Sequence, residues 1–416
     1  MKIIRITTSI TLTYFILSCS DRKPLNPLDP NNPYTGGKPI GLSLVPVQNT
    51  VNVLWDPVDI NDLTFYVIYR GTLKSEMVKL GEVVPDSTSF LDTSVSFYET
   101  YTYTLEIHTE TDISARSDTV QVTVGPFNIY VADFWDNSVR MISWDCNHLI
   151  TTRNVSSPRK ISLRRIDNRF CVADYYDKSL LLISTDLIDI ESVPLPDYPL
   201  DLDVNQDQGM VHVATRDGLI VTVNVNNDIV AERSLGLSLN WDTQLSFDHV
   251  NNGSWLTIPD SGAVMYVPMD SGFKSIKYIE GFKYPSAVTA HGYGWVADTT
   301  GLYRINTDGE IETIITNTMV TDAAIDTVNM FCFYTGYKYG TDSWVAGRVS
   351  METLINETIL VDVYSYLYNI FPIPSDNGAE FLVQQSYIWK ILRFSENGTL
   401  LGDIDGFNGR IAFQAY

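Results

Sequence analysis

Apolar and polar residues alternate along most of this chain, and clusters of turn residues interrupt the alternation at short intervals. Between residues 40 and 124, alternating runs lie near Leu42, Val51, Phe65 and Tyr101. Alternation with a period of two puts apolar side chains on one face of a β-strand. Several such strands separated by turns are typical of a β-sandwich. We therefore predict a β-sandwich domain at residues 40–124.

The remaining residues, 125–416, contain an internal repeat whose clearest copies read VADFWDNSVRMIS, VADYYDKSLLLIS, VATRDGLIVTVN and VADTTGLYRIN. Together with weaker copies, the series begins at Val131, Val172, Val213, Thr257, Val296, Phe333 and Val383. The mean spacing is about 42 residues with four short strands a copy, which is typical of β-propeller blades. We predict an all-β protein in which a sandwich precedes a propeller of seven blades. Six blades are the alternative if residues 331–377 do not form a complete blade.

The two ends of the repeat region complement each other. The first copy has no strand directly before it, whereas RIAFQAY at residues 410–416 reads as a strand with no successor. Pairing the two segments removes two open sheet edges. We predict that this pairing closes the propeller.

The N-terminus has the pattern of a signal peptide. Lys2 and Arg5 precede an apolar stretch at residues 6–17, which is too short to span a bilayer. The stretch ends in Ile-Leu-Ser-Cys, which resembles the lipobox of bacterial lipoproteins, and this resemblance implies that residues 1–18 are removed and Cys19 is lipidated. The residue after the cysteine is Ser20, which resembles the sorting pattern for the outer rather than the inner membrane. An ordinary secretory leader that ends near a cysteine is the alternative.

Residues 19–39 are predicted to be a tether. Between residues 21 and 39 there are five prolines and two glycines, with almost no apolar pattern. Proline-rich segments of this kind are semi-extended spacers. We expect the tether to hold the folded domains away from the bacterial envelope membrane, on its periplasmic or outer side.

Residues 40–124 resemble fibronectin type III domains in the placement of their aromatic residues. Trp55 lies on the second predicted strand, Tyr66 on the third, and Tyr101 or Tyr103 at the position of the tyrosine corner. The resemblance implies a β-sandwich that acts as a spacer. It does not imply adhesion, because the segment has no Arg-Gly-Asp motif.

The repeated Val-Ala-Asp followed by a small-residue turn resembles NHL-repeat propellers and bacterial propellers of the YncE-like group. This resemblance covers residues 125–416. It implies the propeller fold and a binding role, and it does not imply a reaction.

The charge of the chain excludes one class of partner. The formal net charge is -22, from 28 basic and 50 acidic residues. Such a field repels nucleic-acid phosphates and anionic lipid headgroups. We therefore expect no nucleic-acid partner, and membrane contact only through the lipid anchor.

The loops at one end of the predicted propeller are rich in aromatic residues. The candidate ligand-binding face consists of Phe134, Trp135, Tyr175, Tyr176, Tyr198, Trp241, Tyr284, Tyr334, Tyr337, Tyr339 and Tyr387. Aromatic rings among acidic hydrogen-bond acceptors suit sugars, whose CH faces stack, and they suit cationic peptides equally. The first hypothesis is therefore a module that binds protein or glycan partners.

Asp133, Asp174 and Asp298 recur at one repeat position, and we interpret them as structural acceptors for turn amides.

Two other functions stay open at this stage. The first is a metal-dependent hydrolase or lyase, similar to propeller lactonases, with a divalent cation in the central channel. His212 and His249 fall on or near different blades and could approach the channel, but no catalytic or metal-ligand spacing is present, so neither a catalytic residue nor a cofactor is predicted. The second is a structural scaffold in an envelope complex.

Three cysteines follow the predicted anchor. Cys171 and Cys332 lie in apolar, strand-like runs, and the spacing of the three matches no metal site. We predict buried free thiols. A disulfide between Cys146 and Cys171 is the alternative.

Overall fold

The computed structural model describes residues 26–47, 49–72, 75–111, 114–269, 275–362, 366–373, 380–385, 389–407 and 409–413. The predicted signal peptide and Cys19 therefore lie outside the described residues. The chain divides into two compact units, and the boundary along the chain lies between Val124 and Gly125. Within the described ranges, no helix is long and apolar enough to cross a membrane.

The described part of the first unit contains eight strands. They are β1 (Ser43–Val47), β2 (Thr50–Leu54), β3 (Leu63–Thr72), β4 (Ser75–Val83), β5 (Ser89–Asp92), β6 (Thr100–Thr109), β7 (Ser114–Arg116) and β8 (Val120–Thr123). One sheet has the order β1-β2-β5, and the other has the order β4-β3-β6-β7 with β8 also paired to β6. All pairings are antiparallel.

The two sheets of the first unit share one hydrophobic core. Leu44 and Val53 from one sheet and Ile68 and Leu105 from the other belong to the same buried cluster. Trp55 packs in this core against Tyr66, with 5.2 Å between the ring centroids. The alternation in the sequence arises because every second side chain of these strands is buried on this side.

Two tyrosines near the start of β6 anchor the loop before it. The Tyr101 hydroxyl accepts a hydrogen bond from the main-chain N–H of Ser96 at 2.9 Å. The Tyr103 hydroxyl donates to the buried carboxylate of Asp92 at 2.8 Å. Tyr101 therefore makes the bond from hydroxyl to upstream backbone that defines a tyrosine corner.

The second unit consists of short strands arranged in consecutive groups of four. In chain order the strands are β9 (Ile129–Asp133), β10 (Ser138–Ile142), β11 (Leu149–Asn154), β12 (Pro158–Arg164), β13 (Arg169–Asp174), β14 (Ser179–Ser184), β15 (Ile190–Pro194), β16 (Pro199–Asn205), β17 (Met210–Thr215), β18 (Leu219–Val223), β19 (Ile229–Ser234), β20 (Leu245–Asp248), β21 (Gly253–Ile258), β22 (Ala263–Pro268), β23 (Lys277–Glu280), β24 (Ala287–Ala290), β25 (Gly294–Ala297), β26 (Gly301–Ile305), β27 (Ile311–Thr316), β28 (Thr318–Asp326), β29 (Phe331–Lys338), β30 (Ser343–Ser350), β31 (Asn356–Asp362), β32 (Leu367–Pro372), β33 (Phe381–Gln385), β34 (Lys390–Phe394), β35 (Leu400–Asp405) and β36 (Arg410–Phe413). One short 3-10 turn, Pro259–Ser261, lies between β21 and β22.

These strands form seven four-stranded antiparallel sheets among the described residues. Sheet I has the order β36-β9-β10-β11, and the sheets that follow are II (β12 to β15), III (β16 to β19), IV (β20 to β23), V (β24 to β27), VI (β28 to β31) and VII (β32 to β35). The stretch whose repeat was weakest in the sequence forms the complete sheet VI.

Each sheet packs on the next through its own buried cluster. Tyr130 of sheet I meets Phe170 of sheet II with ring centroids 4.1 Å apart, and Phe333 of sheet VI meets Phe381 of sheet VII at 5.4 Å. Comparable clusters join every consecutive pair of sheets, and another joins sheet VII to sheet I. The second unit is therefore a closed ring of sheets.

The last described strand completes the first sheet. In β36, Arg410 pairs with Ala132 and Ile411 pairs with Val131 of β9. The predicted pairing between the two ends of the repeat region is thus confirmed for residues 410–413. It gives sheet I its fourth strand and covers an edge of β9 that is otherwise open.

Buried carboxylates also connect neighbouring sheets. Asp203 of sheet III accepts a hydrogen bond from the main-chain N–H of Phe247 in sheet IV at 2.9 Å. Asp322 of sheet VI accepts one from Ile370 of sheet VII at 3.1 Å. Burial raises the pKa of both carboxyl groups. The two aspartates are therefore parts of the framework.

The three described cysteines are all free and buried. The prediction of buried thiols is confirmed, and the alternative of a bridge between Cys146 and Cys171 is wrong. Burial raises the pKa of each of these two thiols to about 12, so both stay protonated at neutral pH.

The closing strand provides a stability test. Ile411 is 7% exposed in the cluster between sheets VII and I, whereas Ile229, on the outermost strand of sheet III, is 37% exposed. We expect Ile411→Ala to lower the free energy of unfolding by about 2–4 kcal/mol, and Ile229→Ala to lower it by less than about 1 kcal/mol. The measurement is urea unfolding followed by tryptophan fluorescence, because seven of the 8 tryptophans follow residue 124. Equal losses in the two variants would contradict a stabilising role for the closure.

Candidate functional site

The first strands of the seven sheets lie side by side around the centre of the ring. β12 contacts β16 and β36, β16 contacts β20, and β24 contacts β28. A cavity of about 580 Å³ opens where these strands begin. Its lining residues come from sheets I, II, III, VI and VII, from a loop within sheet V and from the loops that precede sheets IV and V, and its volume is in the range of small-molecule sites.

One wall of the cavity is aromatic. Phe134, Trp135, Trp241 and Tyr284, all on the predicted face, line it. The ring of Phe134 meets Trp241 edge-on at 5.2 Å and Trp135 at 5.4 Å. Trp135 is 65% exposed and Trp241 is 42% exposed, so both present ring surface to solvent.

Other aromatic residues of the predicted face pack against the rings of this wall. Tyr175 is buried and packs on Trp241 at 4.7 Å and on Tyr198 at 5.0 Å. Tyr176 contacts Tyr175 at 5.3 Å and remains exposed beside Phe134. The structure therefore brings these predicted residues into one aromatic cluster.

A second aromatic wall contains Tyr366 and Tyr368, which line the cavity although they were not among the candidate residues. They connect outward through Trp344, which lies 4.1 Å from Tyr366 and 5.2 Å from Tyr337. Tyr337 in turn meets Tyr339 at 5.8 Å. Tyr337 and Tyr339 are thus neighbours of this wall and do not line the cavity.

Two candidate residues are not seen on the aromatic face. Tyr334 is 2% exposed within the core of sheet VI, and its hydroxyl donates to the side-chain oxygen of Asn356 at 2.9 Å. Its placement on the ligand-binding face is therefore corrected: the eight-residue strand β29 continues past Tyr334 to Lys338, so the turn comes later than the alignment of repeats implied. Tyr387 lies outside the described residues.

Tyr284 is oriented by its hydroxyl group, which donates a hydrogen bond to Asp242 at 2.5 Å. The bond raises the pKa of Tyr284 to about 12. Tyr284 also has a positive φ of 60°, an uncommon backbone conformation for a tyrosine. Both features hold its ring at the cavity.

The charged residues of the cavity were missed by the sequence reading. Arg159, Asp201 and Arg410 line it, and Asp322 lies beside Arg410. A signal was present, because Arg159 begins the segment RKISLRR and Arg410 begins RIAFQAY. Each arginine stands at the start of the first strand of a sheet, and those starts converge on the cavity.

The acidic groups at the cavity already have partners. Asp201 accepts hydrogen bonds from the main-chain N–H groups of Leu202 at 3.0 Å and Leu245 at 2.8 Å, and it pairs with Lys160 at 3.4 Å. Asp322 lies 3.6 Å from Arg410. Among the described residues, no group of three or more His, Cys, Asp or Glu side chains is placed to hold a metal ion.

The repeated aspartates accept main-chain hydrogen bonds from turn amides, as the sequence predicts, and at Asp174 one donor is Asp177. Asp133 accepts hydrogen bonds from the turn amides of Trp135 and Asp136, both at 3.2 Å. Asp298 accepts from Thr300 at 2.6 Å and Gly301 at 2.9 Å. By holding this turn, Asp133 sets the position of Trp135 in the cavity wall.

Comparisons with known proteins identify a fold and no family. No protein-family model matches the chain, and no curated protein sequence matches it. A functionally unknown protein from Desulfotomaculum acetoxidans is similar with a TM-score of 0.56 and 12% identity, over 70% of this chain and 99% of that one. The WD40 repeats of RRP9 are similar with a TM-score of 0.51 and 9% identity, over 63% of this chain and 84% of that one. A virginiamycin B lyase from Staphylococcus aureus matches with a TM-score of 0.48 and 15% identity, over 62% of this chain and 92% of that one. The second unit therefore has a β-propeller fold.

His212 does not line the cavity. It is buried, its ring stacks on Phe247 at 4.9 Å, and its Nδ1 lies 3.1 Å from the hydroxyl of Thr222. Its other ring nitrogen has no hydrogen-bond partner among the described residues. Burial, with a contribution from His249, lowers its pKa from 6.5 to about 4.

This burial predicts a pH dependence of stability. Below pH 6.5 the unfolded chain protonates His212 while the folded protein does not, so the free energy of unfolding falls until about pH 4, by up to about 3 kcal/mol. We expect His212→Gln to remove this part of the loss between pH 7 and pH 4.5. The matched control is His148→Gln, a partly exposed histidine of sheet I, which should retain it. Urea unfolding at both pH values measures the difference, and an unchanged slope in His212→Gln would contradict the assignment.

Proposed function

We propose that this protein is a lipid-anchored protein of the bacterial cell envelope whose propeller binds carbohydrate at the central cavity. In this proposal residues 1–18 are a signal peptide, Cys19 carries the lipid, and residues 19–39 are a tether. Residues 40–124 are a fibronectin type III-like spacer, and the seven sheets of residues 125–416 are seven blades. The outer membrane is the proposed location.

The observation that carries the binding function is the number of aromatic side chains that line one cavity. Trp135 and Trp241 expose ring surface there, and Tyr366 and Tyr368 belong to the same lining. Sugar rings have CH faces that stack on such surfaces, while their hydroxyl groups bond to polar side chains. The polar residues Gln244, Thr321 and Asn369 lie in the same lining.

The state of the acidic groups favours a carbohydrate over a cationic peptide. A basic peptide needs carboxylates that are free to form ion pairs. Asp201 is already paired with Lys160, Asp322 with Arg410, and Asp242 accepts the hydroxyl hydrogen of Tyr284. The cavity therefore offers stacking surface and neutral hydrogen-bonding groups more readily than unpaired negative charge.

The spacer proposal is supported by the topology of the first unit. Its sheets β1-β2-β5 and β4-β3-β6-β7, with β8 on β6, enclose one core, and Tyr101 makes the tyrosine-corner bond. In this proposal the sandwich acts as a spacer between the tether and the propeller.

The binding function is tested by removing the exposed ring of Trp135. We expect Trp135→Ala to weaken carbohydrate binding by about tenfold. The stacking of a sugar on one aromatic ring contributes on the order of 1 kcal/mol to the free energy of binding. The control is Tyr278→Ala, an exposed aromatic on the outer strand β23 of sheet IV. A glycan array first identifies the oligosaccharides that bind the full-length protein. Isothermal titration with these oligosaccharides then measures the affinity of each variant. Retention of basic peptides and of no glycan would overturn the proposal.

The anchor is tested by fractionation. We expect the wild-type protein to be found with membranes and Cys19→Ala to be found in the soluble fraction, because two or three acyl chains are needed for stable attachment. Cys146→Ala, which removes a buried thiol, should leave the protein with membranes. Membrane association of Cys19→Ala would show that the cysteine is not the anchor.

A further inference from the structure

Arg159 is held in the cavity wall by neutral partners. Its guanidinium carbon lies 3.4 Å from the centre of the Trp241 ring. Its Nε donates to the carbonyl of Leu200 at 3.1 Å, and one terminal nitrogen donates to the carbonyl of Trp241 at 2.6 Å. These contacts set the position of the positive charge without neutralising it.

The other terminal nitrogen of Arg159 is unsatisfied. This Nη1 atom is buried and has no hydrogen-bond partner among the described residues. A buried donor without an acceptor is unfavourable, and more so when the group is charged. The guanidinium therefore has hydrogen-bonding capacity that the described protein does not use.

Arg159 differs from the other basic groups at the cavity in its pairing. Asp201 pairs with Lys160, and Asp322 pairs with Arg410. Asp201 and Asp242 act on Arg159 from a distance, but within the described ranges no carboxylate forms an ion pair with it. The lining also contains the carboxylate of Asp242, which accepts the hydroxyl hydrogen of Tyr284, so the unpaired charge of Arg159 is a local property of that side chain and not an excess of positive charge over the whole cavity.

The environment of Arg159 makes that charge costly. Burial lowers its pKa from 12.5 to about 10, against the opposing effect of Asp201 and Asp242, and the positive charge of Arg410 adds to the lowering. An anion bound between the two arginines relieves both effects, because it compensates the desolvated charge and separates two like charges.

We infer that the carbohydrate bound at this cavity carries a single carboxylate, and that Arg159 is the residue that selects it. This inference rests on the proposed carbohydrate-binding function. A carboxylate is planar and matches the donor fork of a guanidinium. One negative charge matches one unpaired arginine, whereas a phosphate or a polyanion brings further charge toward Asp201 and Asp242. The acidic sugar ring then lies against the exposed aromatic surface of Trp135 and Trp241.

The test compares acidic oligosaccharides with their own uncharged forms. The probes are oligosaccharides of uncharged sugars with a single glucuronate or galacturonate residue. Each is compared with its own methyl ester, which keeps the sugar ring and removes the negative charge. Binding to the full-length protein is measured by isothermal titration. We expect the acid to bind at least about tenfold more tightly than its ester, as for a hydrogen bond to a charged group.

Variants of Arg159 assign the preference to this side chain. We expect Arg159→Gln to reduce the difference between acid and ester to less than about threefold, and Arg159→Lys to retain part of it because the charge remains. The control is Arg169→Gln, which removes an arginine paired with Glu191 at the start of β13. The control should keep the full preference. Thermal unfolding of each variant checks the fold, and if Arg159→Gln does not fold, the Lys variant and the ester comparison decide.

The outcomes separate this inference from the proposed function. Equal affinity for acid and ester overturns the inference and leaves carbohydrate binding standing. A preference for the acid that survives in Arg159→Gln overturns the role of Arg159. Failure of all acids, esters and neutral oligosaccharides to bind overturns both proposals.

Discussion

The second unit depends on contacts between sheets that share no main-chain hydrogen-bonded ladder. Among the described residues, the hydrogen-bonded ladders between strands lie within each of the seven sheets and not between them. The ring is therefore held by side chains: a hydrophobic cluster at every junction, and buried carboxylates such as Asp203 and Asp322 that reach the backbone of the next sheet. The pairing of β36 with β9 is different in kind, because it joins the two ends of the repeat region by main-chain bonds. A ring built in this way has no free end from which a sheet can detach.

The same constraint produces the candidate site. Because every sheet directs its first strand toward the centre, residues at the starts of those strands converge although they are far apart in the sequence. Arg159 and Arg410 are both such residues, and they meet at one cavity. The loop that follows β9 adds Phe134 and Trp135. The cavity therefore combines charged residues at the starts of strands with aromatic residues from loops. The chemistry of the cavity therefore follows from the closure of the ring.

Much of the fold can be predicted from the sequence, because period-two alternation and a repeated segment are local signals. The pairing of the closing strand is also predictable, since an unpaired strand at each end has one obvious partner. Side-chain contacts across sheets are harder, because they depend on how far each strand continues. Tyr334 shows this: β29 extends to Lys338, and Tyr334 then packs over Gly347, where an added Cβ would lie 2.5 Å from the tyrosine hydroxyl oxygen. The repeat alone places the same residue in a loop.

The role of Arg159 is harder still to predict from the sequence, because it depends on which nearby carboxylates are already paired with other basic groups. The sequence has 50 acidic residues, and they suggest a site for cations. At the cavity, however, Asp201 and Asp322 are already bound by Lys160, by Arg410 or by main-chain N–H groups, and Asp242 accepts a hydrogen bond from Tyr284. The long-range field of the protein repels polyanions, whereas the unpaired Arg159 attracts one carboxylate at contact distance. In our proposal net charge and local charge therefore act together: the net charge disfavours highly charged chains, and the unpaired Arg159 favours a sugar ligand with a single carboxylate.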